Sequence, residues 1–309
     1  MIFLPKRFSG FPLIELPRFG VSGRFVCVTH LVDQYGEVIP GTARLRGIAE
    51  ENGGSPNLIT NTGLDLIGTG NDINTCVAGT GSTAPANTDT ALVAQIASTT
   101  SPISTVTSYN VSPEYGQRAT TWRFAAGVAT GNITELGMKY STSLYARALV
   151  LDGVGAPTTF VVASGEALDV TYIQRIVPPA ADASGSVVIN SVTYGWVARP
   201  ANVGSWFNCI SGVYVTSGAS ITAYAGSIGT RAASPGGSAV GSSVVANAYS
   251  PGSKTRSYVG TLPIGAAFTT TSAAMNAQTF WQFSFDSGGV PKLSTQTLAL
   301  TLSNSWDRA

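Results

Sequence analysis

Short β-forming runs broken by turn residues recur at roughly ten-residue spacing through most of this chain, and that rhythm limits the fold more than any other feature. Among them are RATTWRFAAG, LYARALVLDG, TTFVVASGEALDVTYIQRI, SVVINSVTYGWVARP and TLALTLSNSWDRA. Strands so short and so close leave little room for crossover helices. The expected class is therefore mainly β, with two packed antiparallel β-sandwich or jelly-roll-like modules and a few short helices.

The pattern divides the chain into three. Residues 1–23 carry Phe3, Phe8, Phe11 and Phe19 among three prolines, with neither a strand nor a helix period. Lys6 and Arg7 precede an apolar patch, as in a signal peptide, yet Pro5, Pro12, Pro17 and Glu15 interrupt it. An extended N-terminal arm is expected, lying on its own body or, the preferred reading, with the four phenylalanines as anchors on a neighbouring subunit. Residues 24–180 form a hairpin around Asp33–Gly36, short helices and a first β module. Pro178 and Pro179 end that run, and residues 181–309 form a second module.

Two helices are expected in the first module. One lies within Pro56–Gly68, with Asn61 or Thr62 as N-cap. The other runs from about Asp89 to Ala97, with Leu92, Val93 and Ile96 on one face. In the second module, residues 229–253 are rich in small side chains and read as one long loop.

Charge then limits function. Charged residues make up 11% of the chain and the net charge is +1. A soluble domain usually carries about 25% charged residues. So uncharged a chain suits surfaces that meet other subunits. It does not steer toward nucleic acid, and no apolar run approaches the ~18 residues of a membrane span. Cys27, Cys76 and Cys209 lack metal or redox spacing and read as buried free thiols.

The residues for chemistry are sparse. His30 is the only histidine, lies inside a strand and has no GxSxG serine to serve. The glycines of VAGTGSTAPANTDT lack the spacing and the lysine of a phosphate loop. A carboxylate pair for glycoside hydrolysis, such as Glu135 with Glu166 or Asp169, has no spacing signature to support it. Asp65 reads as a helix-face residue and Asp89 as a cap-region charge. Trp196, Trp206, Tyr214, Tyr224 and Tyr258 fall in strands, where aromatic residues usually build core; stacking on a sugar is the alternative, with Trp206 and Tyr224 as candidates. No catalytic residue, cofactor or metal site is assigned.

Taken in order, NLITNTGLDLIG, VAGTGSTAPANTDTALVAQI, WRFAAGVATGNITELGMKY with LYARALV, PTTFVVASGEALDVTYIQRI and STQTLALTLSNSWDRA resemble a family of tailed-bacteriophage structural proteins. The resemblance covers about residues 24–309, is firmest over 57–176, and leaves out the arm. It implies a non-enzymatic virion component, tail-associated, at a collar, adaptor, baseplate or fibre-attachment position. Such a protein is made in the bacterial host cytoplasm. Its expected partners are copies of itself and other tail or portal-proximal proteins and fibres. A capsid decoration or head-fibre protein, or a module gripping a host surface glycan, is the alternative.

Overall fold

The computed structural model describes residues 12–48, 54–201, 220–265, 268–270, 272–276 and 281–309. The fold is mainly β, with several antiparallel sheets. The one helix among the described residues is Asn61–Thr69.

The largest sheet has ten strands. Its main path runs Ser243–Ala246, Thr255–Leu262, Leu298–Arg308, Phe19–Leu31, Glu166–Val177, Glu114–Phe124 and Pro102–Val111. A five-stranded sheet is built on Thr75–Gly79, Glu135–Tyr140 and Ser143–Leu149, and a six-stranded one on Ala183–Ile189, Val192–Pro200 and Trp281–Phe285.

The last strand illustrates how sequence becomes core. Leu298, Leu300, Leu302, Asn304 and Trp306 are buried, while Ala299, Thr301, Ser303, Ser305 and Asp307 between them are partly exposed. That is the period of two expected of a strand with one covered face. Trp306 lies 6.2 Å from the Phe19 ring and 5.8 Å from Tyr249, and its indole N–H donates to the Leu64 carbonyl at 3.0 Å. One side chain thus ties both chain ends to the helix.

This strand also joins the two stretches on either side of residue 180. It pairs with Thr255–Leu262 on one side and, in parallel, with Phe19–Val21 on the other. The final strand therefore completes the sheet begun by the first module. A single cluster of buried side chains runs from Ile14 and Phe19 through Leu64 and Met138 to Trp196, Trp281 and Trp306. The two stretches share one core because pairing between strands far apart in sequence depends on neither chain order nor local composition.

Part of the expected arm 1–23 lies in the sheet. Leu13–Glu15 pairs in parallel with Thr301–Ser303, and the strand Phe19–Leu31 begins inside the expected arm. Phe19 is buried in the core. Likewise 229–253 is not one loop, for Ala239–Gly241 and Ser243–Ala246 are strands within it.

The helix spans Asn61–Thr69, and its N-cap lies one residue before the first of the expected caps. Thr60 is the N-cap, its hydroxyl accepting from Gly63 N at 2.9 Å while donating to the Leu144 carbonyl at 2.7 Å. Gly70 ends the helix at φ 78°, a left-handed conformation that glycine adopts without penalty. Gly63 is needed for a different reason. A Cβ there would fall onto the Tyr145 carbonyl. The expected helix at 89–97 is absent: Gln95–Thr99 is a strand, and Val93 and Ile96 of the supposed apolar face are exposed.

Cys27 and Cys76 are buried free thiols, and Cys209 lies outside the described residues. Burial pushes the Cys27 thiol up to about 12, so it stays protonated.

Candidate functional site

The glycine loop that invites comparison with a phosphate cradle does hold an anion, but the anion is the chain's own Glu135. Its carboxylate accepts from Gly81 N at 3.0 Å, Val93 N at 3.2 Å and Ala94 N at 2.8 Å. The Arg147 Nε completes the shell at 2.8 Å, and the same guanidinium reaches Asp89 at 2.8 Å and the Thr83 carbonyl at 2.6 Å. Desolvation opposes ionisation of Asp89, but the Ala86 N–H and Arg147 outweigh it and hold the carboxyl below its usual range. Val93 and Ala94 give their N–H groups to this carboxylate, which explains the missing helix there. Glu135 is fully buried and fully engaged, so it cannot meet a sugar beside Glu166 or Asp169.

The other acidic candidates are also taken up by the fold. Glu166 accepts from Ala163 N at 2.9 Å and pairs with Arg46. Asp169 binds Arg123 through both oxygens, at 2.7 and 2.6 Å, and sits 3.0 Å from His30 Nε2. Asp65 accepts from the Tyr249 hydroxyl and from Gly252 N at 2.7 Å, and Asp72 is bound by Arg118. Among the described residues, no three His, Cys, Asp or Glu side chains converge as metal ligands, and no helix is long and apolar enough to cross a membrane.

Of the residues named as subunit contacts, Phe3, Phe8 and Phe11 lie outside the described residues. Phe19 is withdrawn from that role, because it is only 4% exposed beneath Trp306. Trp206 also lies outside the described residues. Tyr224 is half-buried in mid-sheet, between Ala239 and Ser272.

What remains open is a strand. Among the described residues, Pro102–Val111 ends the ten-stranded sheet and pairs only with Glu114–Phe124, from Val111 opposite Glu114 to Pro102 opposite Trp122. Every residue in it is exposed except Asn110, which is intermediate. Both faces are therefore largely exposed, and among the described residues the outer edge is open. Val106 is 63% and Val111 72% exposed. The sequence PISTVTSYNV has no charge, and its single proline is its first residue.

Natural edge strands are usually short, charged, kinked or covered, because their free N–H and C=O groups invite pairing. Here, among the described residues, such devices are confined to one end, Pro102 itself and the irregularity between Pro102 and Ser104. The strand was missed in sequence, although its β-branched residues before the SPEYG turn signal it.

Next to its far end lies a cleft of about 730 Å³, lined by Tyr109, Val111, Glu114, Asp182, Arg199 and Arg231 among others. Its charges are matched. Arg231 Nε donates to Glu114 at 2.7 Å, and Arg199 holds Asp182 at 2.7 Å. The Tyr109 hydroxyl donates to Glu114 at 2.9 Å, and burial together with that carboxylate pushes its pKa up. The arrangement stiffens the end of the hairpin and supplies no free acid, base or nucleophile. Comparison with family models, with curated proteins and with solved structures finds no match for this chain.

Proposed function

We propose that this chain is a non-enzymatic structural subunit of a bacteriophage virion, tail-associated, which acts by assembling with its neighbours. The observation that carries the assembly part is the strand Pro102–Val111, uncharged, largely exposed on both faces and, among the described residues, open along its edge. The low charge of the whole chain points the same way, since large interfaces bury charged groups only at high cost. The engagement of Glu135, Glu166, Asp169 and His30 by the fold's own partners favours a structural over a hydrolytic role. The virion and its tail enter through the sequence resemblance.

The test is a cryo-EM map of the particle made by a phage that encodes the chain. Density for this fold repeated around the tail axis is the expected result. Density on the head lattice would replace the tail by capsid decoration, and absence from purified particles would overturn the proposal.

A further inference from the structure

We propose that the open edge Pro102–Val111 receives a second copy of this chain, the two edges pairing antiparallel across a twofold axis. This names the partner within the assembly reading above and rests on it for its biological setting. The geometry of a strand edge limits what can bind there. Ten residues at about 3.4 Å each present roughly 34 Å of backbone, in which every second residue turns its N–H and C=O away from the existing neighbour. Water serves such a row in the free chain, another extended chain can pair with it along its whole length, and an identical one is always at hand.

Symmetry adds a condition that the sequence meets. A twofold axis perpendicular to a sheet leaves its faces unexchanged, so each residue lies opposite one from the same face, and the residue on the axis lies opposite itself. Near the middle of this strand that residue is Val106 or Thr107. Both are β-branched and uncharged, so self-opposition brings no like charges together. Thr105, Thr107, Tyr109 and Val111 share one face, as Thr105 shows by meeting the Thr120 hydroxyl at 3.3 Å. Across the axis these four side chains continue into four identical ones. Ser104, Val106, Ser108 and Asn110 do the same on the other face. A net charge of +1 gives two copies little to repel.

The test is sedimentation of the full chain over a concentration series, compared with Val106→Lys/Ser108→Lys. Both positions are exposed, so unchanged circular dichroism and melting temperature will certify the variant's fold. The wild-type chain is expected to dimerise, and four lysines across the junction should raise the dissociation constant about tenfold or more. Of Val106→Cys and Thr107→Cys, the one on the axis should give an interchain disulfide on mild oxidation, while Val128→Cys, 46% exposed elsewhere, should not.

A wild-type monomer throughout, or a lysine variant that associates like wild type, overturns the proposal. So does a dimer lost on removing residues 1–11 but kept in the lysine variant, since the arm would then be the contact. Failure of the wider reading looks different. There the purified chain dimerises through this edge but is missing from virions, whereas a monomeric chain found in virions defeats the edge pairing alone.

Discussion

Replacing Arg147 by methionine probes how the loop over residues 80–94 is held. Arg147 is 1% and Glu135 0% exposed, and their contact is 2.8 Å. Breaking a buried ion pair from one side usually costs about 3–5 kcal/mol. Three backbone N–H groups still serve Glu135 in the variant, which favours the lower half of that range. The Thr83 carbonyl and Asp89 lose a donor, adding about 1 kcal/mol. The net expectation is a loss of about 4 kcal/mol. With an unfolding entropy of about 2.1 cal/mol/K per residue, a chain of 309 residues should melt roughly 6 °C lower.

The double variant Arg147→Met/Glu135→Leu sharpens the test. Apolar replacement of a buried ion pair is often neutral. Here it leaves the Gly81, Val93 and Ala94 amides without their acceptor, so the double variant should remain destabilised by at least about 2 kcal/mol. Urea and thermal unfolding read both numbers, and hydrogen exchange at those three amides reads the local loosening. A single variant within 1 kcal/mol of wild type, or a double variant as stable as wild type, would refute the reasoning.

Gly63→Ala, which gains about 1 kcal/mol of helix propensity, should instead destabilise by several kcal/mol or prevent folding, because the methyl meets the Tyr145 carbonyl; a higher melting temperature would contradict the close approach. A chain ending at Gln296 should fail to fold, since it lacks the strand between Thr255–Leu262 and Phe19–Leu31; a soluble, cooperatively unfolding product would show that the first sheet stands without it. The Arg199 guanidinium, against the opposing pull of desolvation, holds the Asp182 carboxyl below its usual 3.8. Its stabilisation is thus present above the unfolded value and lost as pH falls through the folded one, so Arg199→Met should lessen the acid-induced drop in urea midpoint below about pH 4. An identical pH profile in that variant would exclude the pair as a contributor.

Several strands could be read directly from local pattern. The alternation from Leu298 to Trp306 marks a half-buried strand wherever the chain carries it, because side chains on a pleated strand point alternately to opposite faces. The turn residues around Asp33 and Gly36 work locally too, with the Asp33 carboxylate accepting from Tyr35 N at 2.8 Å and Glu37 N at 2.9 Å. The supposed helix at 89–97 failed for the opposite reason. Its fate depends on Glu135 and Arg147, more than forty residues away, which no local window contains. Phe19 misled in the same way, since its neighbour Trp306 lies at the other end of the chain.

By itself, the sequence determined the β class, the helix at 61–69 within a residue or so, the low charge and the single histidine, all of which follow from local geometry or composition. Only the tertiary structure decided that both ends of the chain share one sheet and one core, that Glu135 fills the glycine loop, and that Pro102–Val111 is left open. Pairing between strands depends on which backbone groups find partners across the whole chain, and a local sequence pattern does not carry that information.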